Sequence, residues 1–143
     1  MKNRIVLMLI VGLLMTSCLF AQDTAKVIVP KAVSNKMIGI FPQTQLDPVT
    51  WSKEGANYKG AFVIMDKPAF AIFDEKGQVI RIERRLHYTY LPKKIVSNLN
   101  EQYPGNVIED VYETTDAAGG KTYKTTFKYK KTINFKEDGL EVK

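Results

Sequence analysis

His87 is the only histidine in the sequence, so catalysis by a nucleophile and a neighbouring base would have to depend on it. It follows Arg85 and Leu86 in a segment predicted to be a strand. There its side chain would share the direction of Arg81 and Arg85, which is the predicted solvent side. An exposed, non-catalytic histidine is therefore expected, with a catalytic base as the alternative. The protein is predicted not to be an enzyme.

Carboxylates occur where they could bind a metal or act as paired acids. The stretches FDEKG (residues 73–77) and FKEDG (residues 135–139) have the composition of hairpin turns. Calcium loops are the alternative, but they need a regular ladder of oxygen ligands. Glu109, Asp110 and Glu113 share one predicted strand, where they alternate between faces and cannot all converge. The sequence predicts no metal site and no cofactor.

Residues 1–22 have the pattern of a secretory signal peptide. Lys2 and Arg4 precede an uncharged apolar run at residues 5–14, and Ala21 offers a small residue for cleavage. The run is too short for a membrane-spanning helix. The mature protein is then a single domain, residues 23–143, with a periplasmic or secreted location.

Cys18, the only cysteine, leaves a second route of processing open. The run LMTSC that ends at Cys18 is similar to a bacterial lipoprotein box, with Met15 where an aliphatic residue is usual. Lipidation there would produce a membrane-anchored lipoprotein, and membrane contact is predicted only in that case. Cleavage after Ala21 would instead remove Cys18 and leave a domain without disulfides.

The mature chain carries a mild positive charge. The whole sequence has 21 Lys and Arg against 15 Asp and Glu, and removal of Lys2 and Arg4 leaves 19 against 15, a net charge of +4. Nucleic-acid binding normally needs basic residues clustered on a recognisable module. No nucleic-acid partner is therefore expected.

Two halves of the sequence resemble each other at an offset of 62 residues. Met37 then coincides with Leu99, Phe41 with Tyr103, and residues 73–77 coincide with residues 135–139. Tyr58 and Phe62 match Tyr123 and Phe127 at an offset of 65, a drift that loop insertions produce. The sequence predicts two sequential copies of one unit, at about residues 29–90 and 91–143.

Each unit is predicted to begin with a helix and to continue as strands. Pro30 and Pro92 suit the first helical turn, apolar residues then recur at helical spacing, and Pro42 and Pro104 end the helices. Period-two alternation then indicates strands. These strands are predicted at residues 49–52, 58–64, 69–73, 79–90, 107–115, 122–129, 132–136 and 140–143.

The predicted fold is α+β, with tandem α-β4 repeats that form one antiparallel sheet carrying two helices packed on one face. Apolar side chains of both units are expected to merge beneath the helices, while the other face stays wet. The expected core residues are Trp51, Tyr58, Phe62, Ile80, Ile82, Tyr123, Phe127 and Phe135.

The outward face of this sheet is the candidate binding surface. The same alternation places there Lys59, Arg81, Glu83, Arg85, Lys124, Thr126 and Lys128. The five basic residues among them could form a patch for a protein or peptide partner, and an acidic partner would suit its charge. A merely solvated face, whose lysines protect the sheet from aggregation, is the alternative. A structural, accessory role in a cell-envelope assembly is the second functional hypothesis.

Nearly the whole mature chain resembles the PepSY-like family of exported bacterial proteins, described as β-lactamase-inhibitor-like. The resemblance rests on residues 29–30 (VP), 41–42 (FP), 49–52 (VTWS), 73–77 (FDEKG), 91–95 (LPKKI) and 103–104 (YP), with Tyr58 and Phe62. It implies tandem α-β4 units, a periplasmic or surface location and no catalytic activity. The inhibitor label is an analogy of fold, and fold does not settle function.

Overall fold

The computed structural model describes residues 27–142, which form one antiparallel sheet and two α-helices. The predicted signal peptide and Cys18 lie outside the described residues. Helix α1 (Lys31–Ile40) precedes the first four strands and helix α2 (Lys93–Gln102) precedes the last four. The strands are β1 (Thr50–Glu54), β2 (Asn57–Ile64), β3 (Lys67–Phe73), β4 (Val79–Leu86), β5 (Ile108–Asp116), β6 (Lys121–Phe127), β7 (Thr132–Lys136) and β8 (Glu141–Val142).

The eight strands follow one another in the sheet in chain order, each antiparallel to the next. Such a meander places the turns alternately at two ends of the sheet. Short 3₁₀ helices, Pro42–Gln45 and Tyr88–Tyr90, complete the connections after α1 and before α2. The predicted α+β class and the single antiparallel sheet are confirmed.

Each helix buries two side chains that lie one turn apart on the same side. Val33 and Met37 are buried on α1, and Ile95 and Leu99 are buried on α2. A spacing of four residues aligns side chains along one helix face, so each helix presents a narrow apolar stripe to the sheet. Both stripes meet the same sheet face. On β4, Ile82 packs with the α1 residues, and Leu86, four positions later and therefore on the same face, lies opposite Val111, which packs with the α2 residues.

The buried side chains form two hydrophobic clusters rather than the single merged core that the sequence predicted. The first joins α1 to Phe62 and Phe73, and the second joins α2 to Phe127 and Phe135. The physical reason is that charged residues, Arg84 and Glu113, occupy the helix side of the sheet where β4 meets β5. The halves therefore share a sheet but not an apolar core.

The two clusters contain equivalent contacts: an aromatic pair after each helix, and a glycine against the start of each helix. Phe41 packs against Phe62 with ring centroids 4.6 Å apart, and Tyr103 packs against Phe127 at 5.6 Å. Gly77 and Gly139 each lie against the start of a helix, where an added Cβ would come within 2.8 Å of a helix atom. Both have positive φ.

One predicted core residue, Ile80, does not enter either cluster. The pairing of β3 with β4 shifts by one residue, so that Ile72 lies opposite Arg81 but Phe73 lies opposite Val79. Val79 therefore packs against the first cluster in place of Ile80. A bulge changes which side chains face the core, and strict alternation cannot reveal it. Trp51, Tyr58 and Ile82 pack against the first cluster but remain partly exposed.

Two strands end at least two residues earlier than the sequence predicted. Strand β4 ends at Leu86, so His87 precedes a 3₁₀ helix instead of extending the strand to residue 90. Strand β6 ends at Phe127, because the amide of Lys130 bonds the carbonyl of Phe127 and closes a turn. Lys128 consequently lies in that turn and not on the strand.

Among the described residues, no helix is long and apolar enough to cross a membrane.

Replacement of Phe62 by alanine should lower the free energy of unfolding by about 3–5 kcal/mol, since it removes a buried ring that packs on Phe41. The matched control is Val63→Ala on the opposite face of the same strand, with an expected loss below about 0.5 kcal/mol. Chemical denaturation of both variants checks this. Equal losses would contradict the assignment of faces.

Gly77→Ala should be more destabilising than Gly55→Ala, although both glycines have positive φ. Each alanine costs about 1 kcal/mol for the left-handed backbone. Only at Gly77 would the new methyl group also meet the carbonyl oxygen of Ala32, at 2.8 Å, whereas Gly55 faces open space. The clash should add at least about 1 kcal/mol. Equal denaturation midpoints would show that α1 does not lie against this turn.

Candidate binding face

The sheet face without helices is called the open face here. Its members follow from the strand registers, since they alternate with the buried residues of each strand. It includes Ser52, Glu54, Lys59, Phe70, Ile72, Arg81, Glu83, Arg85, Asp110, Tyr112, Thr114, Lys124, Thr126, Asn134 and Lys136.

On β1 to β4 the cations of the open face are engaged by carboxylates. Arg81 donates to Glu54 through Nη2 and to Glu83 through Nε, both at 2.6 Å. Lys59 lies 3.9 Å from Glu54, and its ammonium stands over the ring of Phe70. The hydrogen bond to Glu83, and next the one to Glu54, raise the pKa of Arg81 above its ordinary value. This half carries a neutralised network and not a cationic patch.

Ile72 shows how closed this half is. Its side chain belongs to the open face, yet it is 0% exposed. Its cross-strand neighbours are Lys59 and Arg81. Long basic side chains can cover apolar surface with their methylene stems while the charged ends stay wet. An incoming partner would have to displace this cover to reach Ile72.

On β5 to β7 the open face is more accessible. Tyr112, Lys124 and Asn134 form one row across the three strands, and the Lys124 ammonium stands 5.2 Å from the centre of the Tyr112 ring. Lys124 and Lys136 are exposed, and neither has a carboxylate within salt-bridge distance among residues 27–142. Threonines flank this row on all three strands, together with Asp110 and Lys136.

The five predicted binding residues are thus placed differently from one another. Lys59, Arg81, Arg85 and Lys124 all lie on the open face. Arg85 is paired with Asp110, so three of these four are held in ion pairs. Lys128 lies in the turn just beyond the strand, and its place on the binding face stays a prediction. Tyr112 was missed, although it shares the side-chain direction of Asp110 and Thr114, which the strand pattern could have shown.

Glu113 is a buried acid that sequence reasoning did not single out. It lies on the helix side, 5% exposed, and accepts from Arg84 Nε at 2.8 Å and from the Tyr123 hydroxyl at 3.1 Å. Lys121 lies 3.9 Å away. Two donors and a nearby ammonium compensate a carboxylate removed from water. The sequence could have shown this, because Glu113 lies two positions from the apolar Val111 and therefore points to the same face of the strand.

Tyr123 has a perturbed pKa because of this arrangement. Burial first, and then the charge of Glu113, raise the pKa of Tyr123 to about 12. Among the described pockets, one is lined by Arg84 together with Leu86 and Tyr90, but neither Glu113 nor Tyr123 lines any, so the acid and the hydroxyl of the network do not face a described cavity. Its chemistry fits a structural role.

The other candidates for chemistry lie apart from one another. His87 is exposed, and its Nδ1 lies 2.9 Å from the Thr89 hydroxyl. The carboxylates of Asp74 and Asp138 accept backbone amides within their own turns, as the hairpin interpretation predicts. Within residues 27–142 no three acidic, histidine or cysteine side chains are grouped so as to hold a metal ion.

Solved structures of similar fold come from Bacteroides species. A periplasmic-labelled protein from Bacteroides eggerthii has a TM-score of 0.73 at 14% identity, over 82% of this chain and 88% of that one. A DUF2874 family protein from Bacteroides uniformis has a TM-score of 0.71 at 14% identity, over 81% and 88%. A BLIP-like protein from Bacteroides fragilis has a TM-score of 0.69 at 18% identity, over 85% and 88%.

These likenesses define the fold, which this chain shares over nearly the full length of each protein. No family model matches the sequence, and no curated protein matches it either. At such low identity the fold is established and the function is not.

The raised pKa of Tyr123 predicts that the free energy of unfolding falls at alkaline pH. Its pKa is about 12 in the folded protein and about 10 in the unfolded chain, so folding favours the protonated hydroxyl. This stabilisation is complete below about pH 10 and is lost as the pH rises towards about 12. Tyr123→Phe should therefore show a smaller decline in unfolding free energy over that range.

Denaturant titrations at several pH values measure the decline, with exposed Tyr129→Phe as the control. The control should follow the original protein. A Tyr123→Phe decline as steep as that of the original protein would show that Tyr123 does not retain its proton on folding.

Proposed function

We propose that this protein is an exported, non-catalytic binding module that engages a protein or peptide through the β5–β7 part of its open face. The observation that carries the proposal is the row of half-buried Tyr112 and exposed Lys124 and Asn134 across the three strands. Tyrosine supplies amphipathic contact area at small entropic cost, and an uncompensated lysine beside it attracts an acidic group. The binding surface that the sequence predicts across both halves is thereby restricted to the second half.

The ion-pair network of the first half supports this narrowing. Its arginines have carboxylate partners, so binding an acidic ligand there would require breaking existing hydrogen bonds at 2.6 Å. Charge-assisted bonds of this kind are stronger than neutral ones. Lys124 has no such bond to lose. The partner expected for it carries a carboxylate close to an apolar or aromatic group.

Export and an inhibitor-like role are parts of the same proposal. The periplasmic label of one structural neighbour and the BLIP-like label of another support them, as does the pattern of residues 1–22. An inhibitor would need a broad, rigid surface rather than a catalytic cleft, and a pleated sheet face supplies one. In this proposal His87 and the turn carboxylates take no part in chemistry.

We also propose that the two halves are tandem copies of one α-β4 unit, as in the PepSY-like family. The equivalent positions of Gly77 and Gly139 against helix starts support this, as do the matching Phe41–Phe62 and Tyr103–Phe127 contacts. A duplicated unit accounts for the offset of 62 residues and does not require the two copies to carry the same surface residues. In this proposal the open faces of the two copies diverged and took different roles.

A photo-crosslinking residue placed at Asn134 on the open face should capture a partner in an envelope extract. The same residue at Asn35 on the exposed side of α1 is the matched control and should capture none. With the captured partner purified, Tyr112→Ala should weaken binding by roughly tenfold or more, as loss of a central aromatic contact does. Capture from Asn35 alone, or unchanged affinity of Tyr112→Ala, would reject the open face as the contact surface.

A further inference from the structure

The meander divides the connections of the sheet between two ends that differ in chemistry. The end called the basic end here contains the β2–β3 turn, the segment from His87 to Tyr90, the residue before β5 and the β6–β7 turn. These segments are neighbours: Met65 and Tyr90 line the same cavity, and the amide of Lys128 donates a hydrogen bond to the carbonyl of Val107. Both halves of the chain therefore contribute to this end.

Large apolar and aromatic side chains are exposed at the basic end. Met65 is 91% exposed, Tyr129 is 84%, Tyr90 is 75% and Val107 is 60%. They come from four separate connections, so they are not one frayed loop. Four large exposed side chains at one end of the sheet make that end a candidate interaction surface.

Lysines accompany these side chains. Lys67, Lys128, Lys130 and Lys131 are all exposed at the same connections, against the acids Asp66 and Glu109. The hairpin from β6 to β7, residues 121–136, contains six lysines and no acid. The turn at its tip places Tyr129 between lysines, a combination of aromatic ring and positive charge.

The opposite end of the sheet has the reverse character. Its turns contain Glu54, Asp74, Glu75, Asp116, Glu137 and Asp138. The carboxylates of Asp74 and Asp116 each accept two backbone amides, so they serve to close their own turns. Leu140 is the large apolar side chain exposed there. The molecule is thus polarised along its strands.

We propose that the basic end is a docking surface for an anionic phospholipid bilayer. Tyrosine rings are favoured at the level of lipid headgroups, and lysines are attracted to a negatively charged leaflet. Several separate turn tips at one sheet end suit a flat partner better than a peptide, which needs a continuous groove or strand edge. This contact requires no lipid on Cys18.

A cavity between the turn tips supplies a place for part of a lipid. It has a volume of about 250 Å³ and is lined by Ile64, Met65, Lys67, Leu86 and Tyr90, among others. Most of its wall area is apolar, and Lys67, Arg84, Arg85 and His87 add basic groups to the lining. A headgroup phosphate near Lys67, with an acyl segment against Met65 and Leu86, matches this lining.

Flotation with lipid vesicles tests the proposal, using the protein as its host exports it and with Cys18→Ala to remove any attached lipid. Vesicles of phosphatidylcholine with about 30% phosphatidylglycerol should bind the protein, and pure phosphatidylcholine should bind it far less. Lys128→Gln combined with Lys130→Gln should weaken binding roughly tenfold or more, because each lysine near an anionic surface contributes. Tyr129→Ser should also weaken it.

Matched variants at the opposite end provide the control. Lys76→Gln with Lys93→Gln removes the same charge, and Leu140→Ser removes an exposed apolar side chain. Both should bind vesicles like the original protein, and all variants should keep its unfolding midpoint. Absence of binding to anionic vesicles overturns the proposal, as does equal weakening by the two lysine pairs. Binding of soluble polyglutamate without vesicle binding would assign the surface to an acidic protein instead.

Discussion

The ladder between β4 and β5 is the interaction on which the rest of this structure depends. It joins the first four strands to the last four through residues 81–86 and 111–116. The two apolar clusters do not merge across it, so backbone hydrogen bonds and the Arg84–Glu113 and Arg85–Asp110 ion pairs carry much of the connection. A continuous open face and a basic end built from both halves exist only because this ladder holds.

The two faces of that junction use charge in different ways. On the helix side Glu113 is enclosed and satisfied by Arg84 and Tyr123, which fixes the position of the neighbouring strands. On the open side Arg85 and Asp110 form an ion pair that stays partly exposed. Burial thus distinguishes the enclosed acid from the partly exposed ion pair, although both sets of residues occupy the same strands. Removing one partner of the buried group would leave an uncompensated charge, a far larger penalty than any loss on the open side.

Sequence patterns predicted most elements because alternation and helical spacing are local properties. The two helices and the antiparallel order follow from prolines, glycines and periodic apolar residues, and β7 has its predicted bounds. Failures occurred where a single residue breaks the local rule: the bulge at Ile80, the early end of β4 before His87, and the turn that holds Lys128. The site was predicted less well, since a list of outward cations cannot show which carboxylate each one meets. Pairing of Arg81 with Glu54, 27 positions away, depends on the register of four strands.

Native-state hydrogen exchange of the backbone amides measures the β4–β5 ladder most directly. The account predicts that amides on β4 and β5 open with free energies similar to those of the central strands within each half, because one cooperative sheet must break. Fast exchange along β4 and β5, with protection retained on β2, β3, β6 and β7, would contradict it. The molecule would then be two loosely joined lobes, without a common open face or a shared basic end.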